Sequence, residues 1–304
     1  KYGDIALWPY ELNADQWGYL EELLQPRYAT PATADAHPVQ FLSDMVACHW
    51  AAAFSDAAGG AINDGDALTA DWGPQFRNLA ELDRGATSIT YETNESPTGL
   101  PACAFGSGGL WQENTAGNIA GQVTGGIPFS WWFVAKPSSL SGSAQSFGSL
   151  TNNGAANAYL TARVNAAGQY QLASRDDSNN DHSAAGGAAD TSIHLHLITF
   201  DGGQTVRWYV DGTLTVTMTV AASVVWTFSR FVMGGLYRGS LSEGFTGLRL
   251  FEVGLTADEV SSGERTSLTN YSEDRYGTPA LVTDGPARGI YRVRAPIAYH
   301  VITF

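Results

Sequence analysis

From about residue 45 onward, apolar and polar positions alternate in short runs broken by Gly, Asn, Asp and Pro, a pattern that predicts antiparallel strands joined by turns. The clearest case is the pair 205–210 and 213–220 around Asp211-Gly212. Asp-Gly suits a type I′ turn, because both of its residues tolerate positive φ. In the second arm Leu214, Val216, Met218 and Val220 share one face, and Thr213, Thr215, Thr217 and Thr219 share the other. That predicts a half-buried strand with a threonine outer face. Residues 129–135, with Trp131-Trp132 at their centre, are apolar throughout and predict a strand buried on both faces. Further strands are expected at 45–50, 100–105, 158–164, 169–174, 193–200, 228–233 and 246–251. Within 193–200, Ile193, Leu195 and Leu197 fall on one face and His194 and His196 on the other.

The two ends read differently. Residues 5–8 predict a short strand, and Asn13 is placed to cap a helix that carries Trp17, Leu20, Leu23 and Leu24 at helical spacing before Pro26 stops it. Thr256, followed by Asp258 and Glu259, predicts a second capped helix. The run from Ile5 to Gln16 echoes the run from Leu248 to Glu259, so residues 1–30 resemble the end of a preceding copy. The resulting map is a strand–helix segment over 1–30, a linker over 31–45, one sandwich over 46–277 and an extended arm over 278–304. The arm carries three arginines against one acid, Asp284, and is rich in β-branched and aromatic residues. Two roles fit it: docking on a neighbouring subunit, or closing this chain's own sheet.

Composition narrows the function classes. The chain has 304 residues, 44% of them hydrophobic, enough for a substantial core. Its formal charge is −14, which repels phosphate backbones and disfavours nucleic acid. No apolar run is long enough for a membrane span. Cys48 and Cys103 are too few for a disulfide scaffold. They read either as two buried thiols or as one bridge between neighbouring strands.

The order of motifs resembles laminin G-like domains of the concanavalin A-like superfamily. Residues 196–202, ending in Asp201-Gly202, and then Trp208-Tyr209-Val210-Asp211-Gly212 look like the central hairpin of that family. A strand ending in Gly234-Gly235, the Phe245-Thr246-Gly247 strand and the Leu255–Glu259 closing segment follow in the family's order. His49-Trp50-Ala51 and the stretch from Asn94 to Phe105 are similar to the opening strands of versions common in bacteriophage and bacterial surface proteins. The resemblance covers about 46–277. It implies an all-β, two-sheet antiparallel β-sandwich of jelly-roll type with short helices at its ends. The sequence departs from the family pattern at Ala51-Ala52-Ala53 and at Gly106-Ser107, which puts any ligand or ion role at those positions in doubt.

Enzymes on such sandwiches need paired carboxylates along one strand, about 5–5.5 Å apart for a retaining glycosidase. The nearest string, Glu81-Leu82-Asp83-Arg84, lacks a third acid and reads as a solvated charged turn. No lyase set of Arg, Gln, His and Tyr, no G-x-S-x-G elbow and no phosphate-loop lysine is present. His194 and His196 are two legs of a metal site without a visible third, or exposed histidines. The oxygen-rich stretch holding Asp176, Asp177, Asn179 and Asp181 is a calcium candidate or an ordinary polar loop, and 63–66 is a second such stretch. Trp72, Trp111 and Trp226 lie near loop edges, where they would stack on sugar rings or pack at the core's rim. The expectation is a non-enzymatic virion surface protein, a capsid decoration or tail fibre subunit. Such a protein would self-assemble and attach to host-surface glycan. A secreted or cell-surface adhesin and a polysaccharide-degrading enzyme are the alternatives.

Overall fold

The structure is a computed structural model that describes residues 42, 45–51, 62–68, 82–85, 89–113, 118–152 and 158–280. The expected strand–helix segment at 1–30, most of the linker, Trp72, Glu81 and nearly all of the arm lie outside the described residues.

Seventeen strands are described. In chain order they are β1 (Met45–Trp50), β2 (Leu82–Gly85), β3 (Ile89–Glu92), β4 (Ala102–Phe105), β5 (Leu110–Glu113), β6 (Phe129–Pro137), β7 (Gln145–Thr151), β8 (Tyr159–Val164) and β9 (Gln169–Arg175). Then come β10 (Asp181–Ala188), β11 (His194–Phe200), β12 (Thr205–Val210), β13 (Thr213–Thr219), β14 (Arg230–Met233), β15 (Leu236–Tyr237), β16 (Leu241–Ser242) and β17 (Leu248–Thr256). An eight-stranded sheet runs β13-β12-β11-β6-β17-β4-β3, with β1 also paired to β17. A seven-stranded sheet runs β10-β9-β8-β7-β14-β5-β2. All pairings are antiparallel, as the short turn-separated runs predict.

The expected Asp-Gly hairpin is present. Val210 pairs with Thr213, and Asp211 and Gly212 take φ of 46° and 78°. Val216, Met218 and Val220 are buried, but Leu214 is exposed. A register shift opposite Trp208 and Tyr209 turns it outward.

The run at β6 is buried on both faces for a reason visible in its neighbours. Phe129, Trp131, Phe133 and Ala135 enter the core between the sheets. Trp132 and Val134 enter a second cluster with Leu195, Leu197, Phe251, Leu268 and Tyr276. That cluster is covered by the helix α1 (Ser262–Tyr276). Gly254 faces Trp132 across the ladder, and a Cβ there would meet the indole at 2.0 Å. The ring therefore lies flat across β17 only over a glycine.

The closing helix begins later than the sequence pattern suggests. Thr256 ends β17 rather than capping a helix, and its hydroxyl donates to the Asp258 carbonyl. Ser261 is the N-cap: its side chain accepts from Glu264 N, and Glu264 accepts from Ser261 N at 2.8 Å. Both sites carry the same Ser/Thr-x-x-Glu spacing. The upstream one is taken by β17 because Leu255 and Thr256 pair with Trp131 and Ser130. Gly277 stops the helix at φ 72°.

Candidate functional site

Four of the residues singled out from sequence are structural in place. Trp111 and Trp226 have no exposure; Trp226 stacks on Phe228 at 5.7 Å inside the inter-sheet core. They form no surface shelf. Neither cysteine is in a disulfide. Cys48 lies in the helix-covered cluster and Cys103 in the inter-sheet core. Both neighbour the same edge of β17, but a register shift between Leu250 and Glu252 puts their side chains on opposite faces.

The oxygen-rich stretch is a tight turn that uses its own oxygens. Asp176 accepts from Ser178 N at 2.9 Å, Asn180 N at 2.8 Å and Asn180 Nδ2 at 2.9 Å. Burial works to raise the Asp176 carboxyl, but these donors more than offset it and hold it below the ordinary range. Asp177 turns away to accept from Thr227 Oγ1 at 2.7 Å. Asn179 supplies the left-handed turn position, with φ 66°. Asp181 is not in the loop. It opens β10 and pairs with Arg175 at 2.7 and 2.9 Å. Among the described residues, no three His, Cys, Asp or Glu side chains are grouped to hold a metal ion.

The two histidines are not on an exposed face. Because β11 is covered on both sides, alternation does not say which side meets water. His196 has no exposure and stacks on Phe133 at 4.7 Å, beside Phe147, Tyr170 and Trp208. Burial holds its imidazole well below the usual histidine value. His194 is clamped: Nδ1 lies 2.5 Å from Asp211 Oδ2, and Nε2 lies 2.9 Å from Asp190 Oδ1. With both ring nitrogens engaged, it offers no lone pair to a metal.

Asp83 also moves from its expected setting. It lies in strand β2, opposite Gln112 of β5, rather than in a turn.

The surface with unassigned chemistry is the outer face of the seven-stranded sheet. One register row crosses it as Asp181, Arg175, Tyr159, Thr151 and Arg230. The next residues along, Leu150, Leu160 and Phe231, point into the core, so this row points outward.

After β14 the chain doubles back over this face as the β15–β16 hairpin. Gly234, at φ 89°, makes the reversal where a Cβ would strike the Phe105 ring at 2.5 Å. Ser149 Oγ donates to the Gly235 carbonyl at 3.0 Å, Ser146 N to the Glu243 carbonyl at 2.7 Å. These contacts explain why hydroxyl side chains on an outer sheet face are buried. The hairpin tip sets the Arg238 guanidinium 5.0 Å from the centre of the Tyr159 ring, and Arg230 lies 5.5 Å from that of Tyr237. Both are cation–π distances. All four residues are half-buried.

The result is a strip of alternating arginine and tyrosine on an otherwise acidic protein. Sequence reading missed it. The available signal was composition: arginine supplies nearly all of the chain's 16 basic residues, against 30 acids, so any cluster of arginines stands apart from the prevailing charge.

No family model matches the sequence, and no curated protein matches it. Solved structures do match in shape. The binding domain of botulinum neurotoxin serotype D is 11% identical and aligns 79% of this chain with 55% of its own, at a TM-score of 0.53. Trypanosoma rangeli sialidase in complex with the inhibitor DANA is 15% identical and aligns 86% with 38%, at 0.52. The chain is a two-sheet antiparallel β-sandwich. The CBM40 of Ruminococcus gnavus IT-sialidase bound to alpha2,3 sialyllactose is 16% identical and aligns 50% of this chain with 86% of its own, at a TM-score of 0.43. Identities this low carry the fold and not the chemistry of any site. No helix among the described residues is long and apolar enough to cross a membrane.

Proposed function

We propose that this sandwich is a non-catalytic attachment module that holds glycan on the outer face of its seven-stranded sheet. The observation that carries the reading is the Arg238–Tyr159 and Arg230–Tyr237 strip. It presents guanidinium forks and phenols side by side, fixed by a folded-back hairpin, and such pre-set polar groups suit an oxygen-rich ligand. The phage-type motif order, from His49-Trp50 to Gly234-Gly235, favours display on a virion as a decoration or fibre subunit.

The buried acids support a non-catalytic role. Glu113 accepts from Ile119 N at 2.7 Å, Ala120 N at 3.0 Å and Phe231 N at 3.1 Å. Glu252 accepts from Trp132 Nε1 at 3.4 Å, from Tyr271 OH at 2.7 Å and from Tyr276 OH. Each carboxylate is turned inward on donors of its own fold, the first pinning a 3-10 turn and the second pinning α1.

The test is a glycan array probed with the full chain, followed by a reducing-end assay on every glycan bound. Binding without release of reducing ends is expected. Release, or no binding to any glycan, overturns the proposal.

A further inference from the structure

We infer that the strip takes a carboxylate-bearing sugar, with Arg238 as the residue that grips its acid group. This rests on the attachment reading above and deepens it. The decisive feature is which surfaces the arginines leave open. A neutral sugar is usually held by an exposed aromatic face. Here Arg238, on the hairpin tip, lies over the ring of Tyr159, while Tyr237 on the same hairpin is taken up by Arg230 of the sheet below. What the strip shows to a ligand on that side is the guanidinium fork, which matches a carboxylate in a bidentate pair.

The arginines around it are already committed. Arg175 pairs with Asp181 at 2.7 Å, and Arg163 with Glu243 at 2.5 Å. Arg230 donates to Gln112 Oε1 at 2.6 Å. Arg238 has no carboxylate partner among the described residues; its side chain rests on Tyr159, and its own N–H is tied to the Ser240 carbonyl at 3.1 Å. Its charge is nonetheless felt nearby: with Arg175 as the main cause, it helps hold the Asp181 carboxyl below the ordinary range. The three-residue tip between Tyr237 and Leu241 is short, so Arg238 is pre-placed rather than searching. On a chain of net charge −14, an anionic ligand gains nothing from the long-range field. It has to be held by a local, charge-assisted contact of this kind.

The experiment uses the full chain and the tightest acidic oligosaccharide from the array. That ligand is compared with its carboxyl-reduced counterpart and with a sulfated oligosaccharide of equal length. Reducing the carboxyl should weaken binding by about tenfold or more, as expected for loss of a hydrogen bond to a charged group. Arg238→Ala should weaken it similarly with an unchanged melting temperature, Arg238→Lys less so. Arg265→Ala, on the helix away from the strip, should have no effect. Equal binding of the reduced ligand, a preference for the sulfated one, or an Arg238→Ala variant that binds normally overturns the carboxylate assignment while leaving the attachment reading intact. If no glycan of any kind binds, the attachment reading itself fails.

Discussion

His194 Nδ1 stands 2.5 Å from Asp211 Oδ2, which ties the start of β11 to the tip of the β12–β13 hairpin. Asp211 Oδ1 also accepts from Leu195 N at 2.9 Å, so one carboxylate holds a strand's backbone and its side chain together. Burial pulls the His194 pKa down, but hydrogen bonds and charge from Asp211 and Asp190 raise it further, and the net direction is up. A raised folded pKa stabilises fully below the unfolded value of ~6.5. That stabilisation is lost as pH rises through the folded value. Urea midpoints should therefore fall as pH rises above ~6.5, and Asp211→Asn should flatten that fall while lowering the midpoint at pH 6. An unchanged slope in Asp211→Asn would show the clamp to be irrelevant to stability.

His196 should act in the opposite sense. Burial keeps it neutral in the fold, so the unfolded chain binds more protons below ~6.5. Acidification through that range destabilises, and His196→Phe, which keeps a ring beside Phe133 and Phe147, should remove this part of the acid limb. The check is the midpoint difference between pH 7 and pH 5 in the two proteins.

Gly254→Ala places a methyl in the Trp132 ring and should cost about 1–3 kcal/mol, as overpacking does. Gly263→Ala is the contrasting case. Nothing lies within 4 Å of its missing Cβ, and it sits in a helix, so it should gain roughly 0.5–1 kcal/mol. Chemical denaturation of both variants tests the pair; equal effects would mean that the close approach at Gly254 is not strained.

Ser261→Ala should cost about 1 kcal/mol by removing the N-cap acceptor of α1, whereas Thr256→Ala should leave helix content unchanged. Circular dichroism and thermal melts separate the two. A loss of helix in Thr256→Ala would restore the earlier start that the sequence pattern favours.

Strand positions were legible where one face met water and the other did not. The threonine side of β13 and the Asp211-Gly212 turn are the clearest examples. Strands β5, β7 and β10 were not legible. In β7, Ser146, Ser149 and Thr151 look like loop residues, yet all three are buried, and Ser149 is bonded to Gly235, 86 residues later, where the covering hairpin begins. The candidate site was missed for the same reason. Tyr159 and Arg238 acquire meaning only when β8 and the β15–β16 tip meet, and neither carries a local motif.

The two thiols should be silent in the folded protein. Burial raises both Cys48 and Cys103, so neither forms a thiolate readily. A reductant should leave the melting temperature unchanged. A thiol reagent should count no cysteine of this pair in the native state and both in denaturant. Protection from reagent in denaturant without reductant would mean that a bridge exists after all.

Helix α1 has a consequence for how the sandwich behaves in a crowd. Without it, one broad side of the eight-stranded sheet would present Trp132, Phe251 and Leu195 to whatever stood next to it. With it, that side ends in Glu, Ser, Thr and Arg. That side then offers little apolar surface on which one copy could fuse with another. A chain cut before Ser262 would lose that insulation and should turn sticky, clumping with its own kind long before it unfolds.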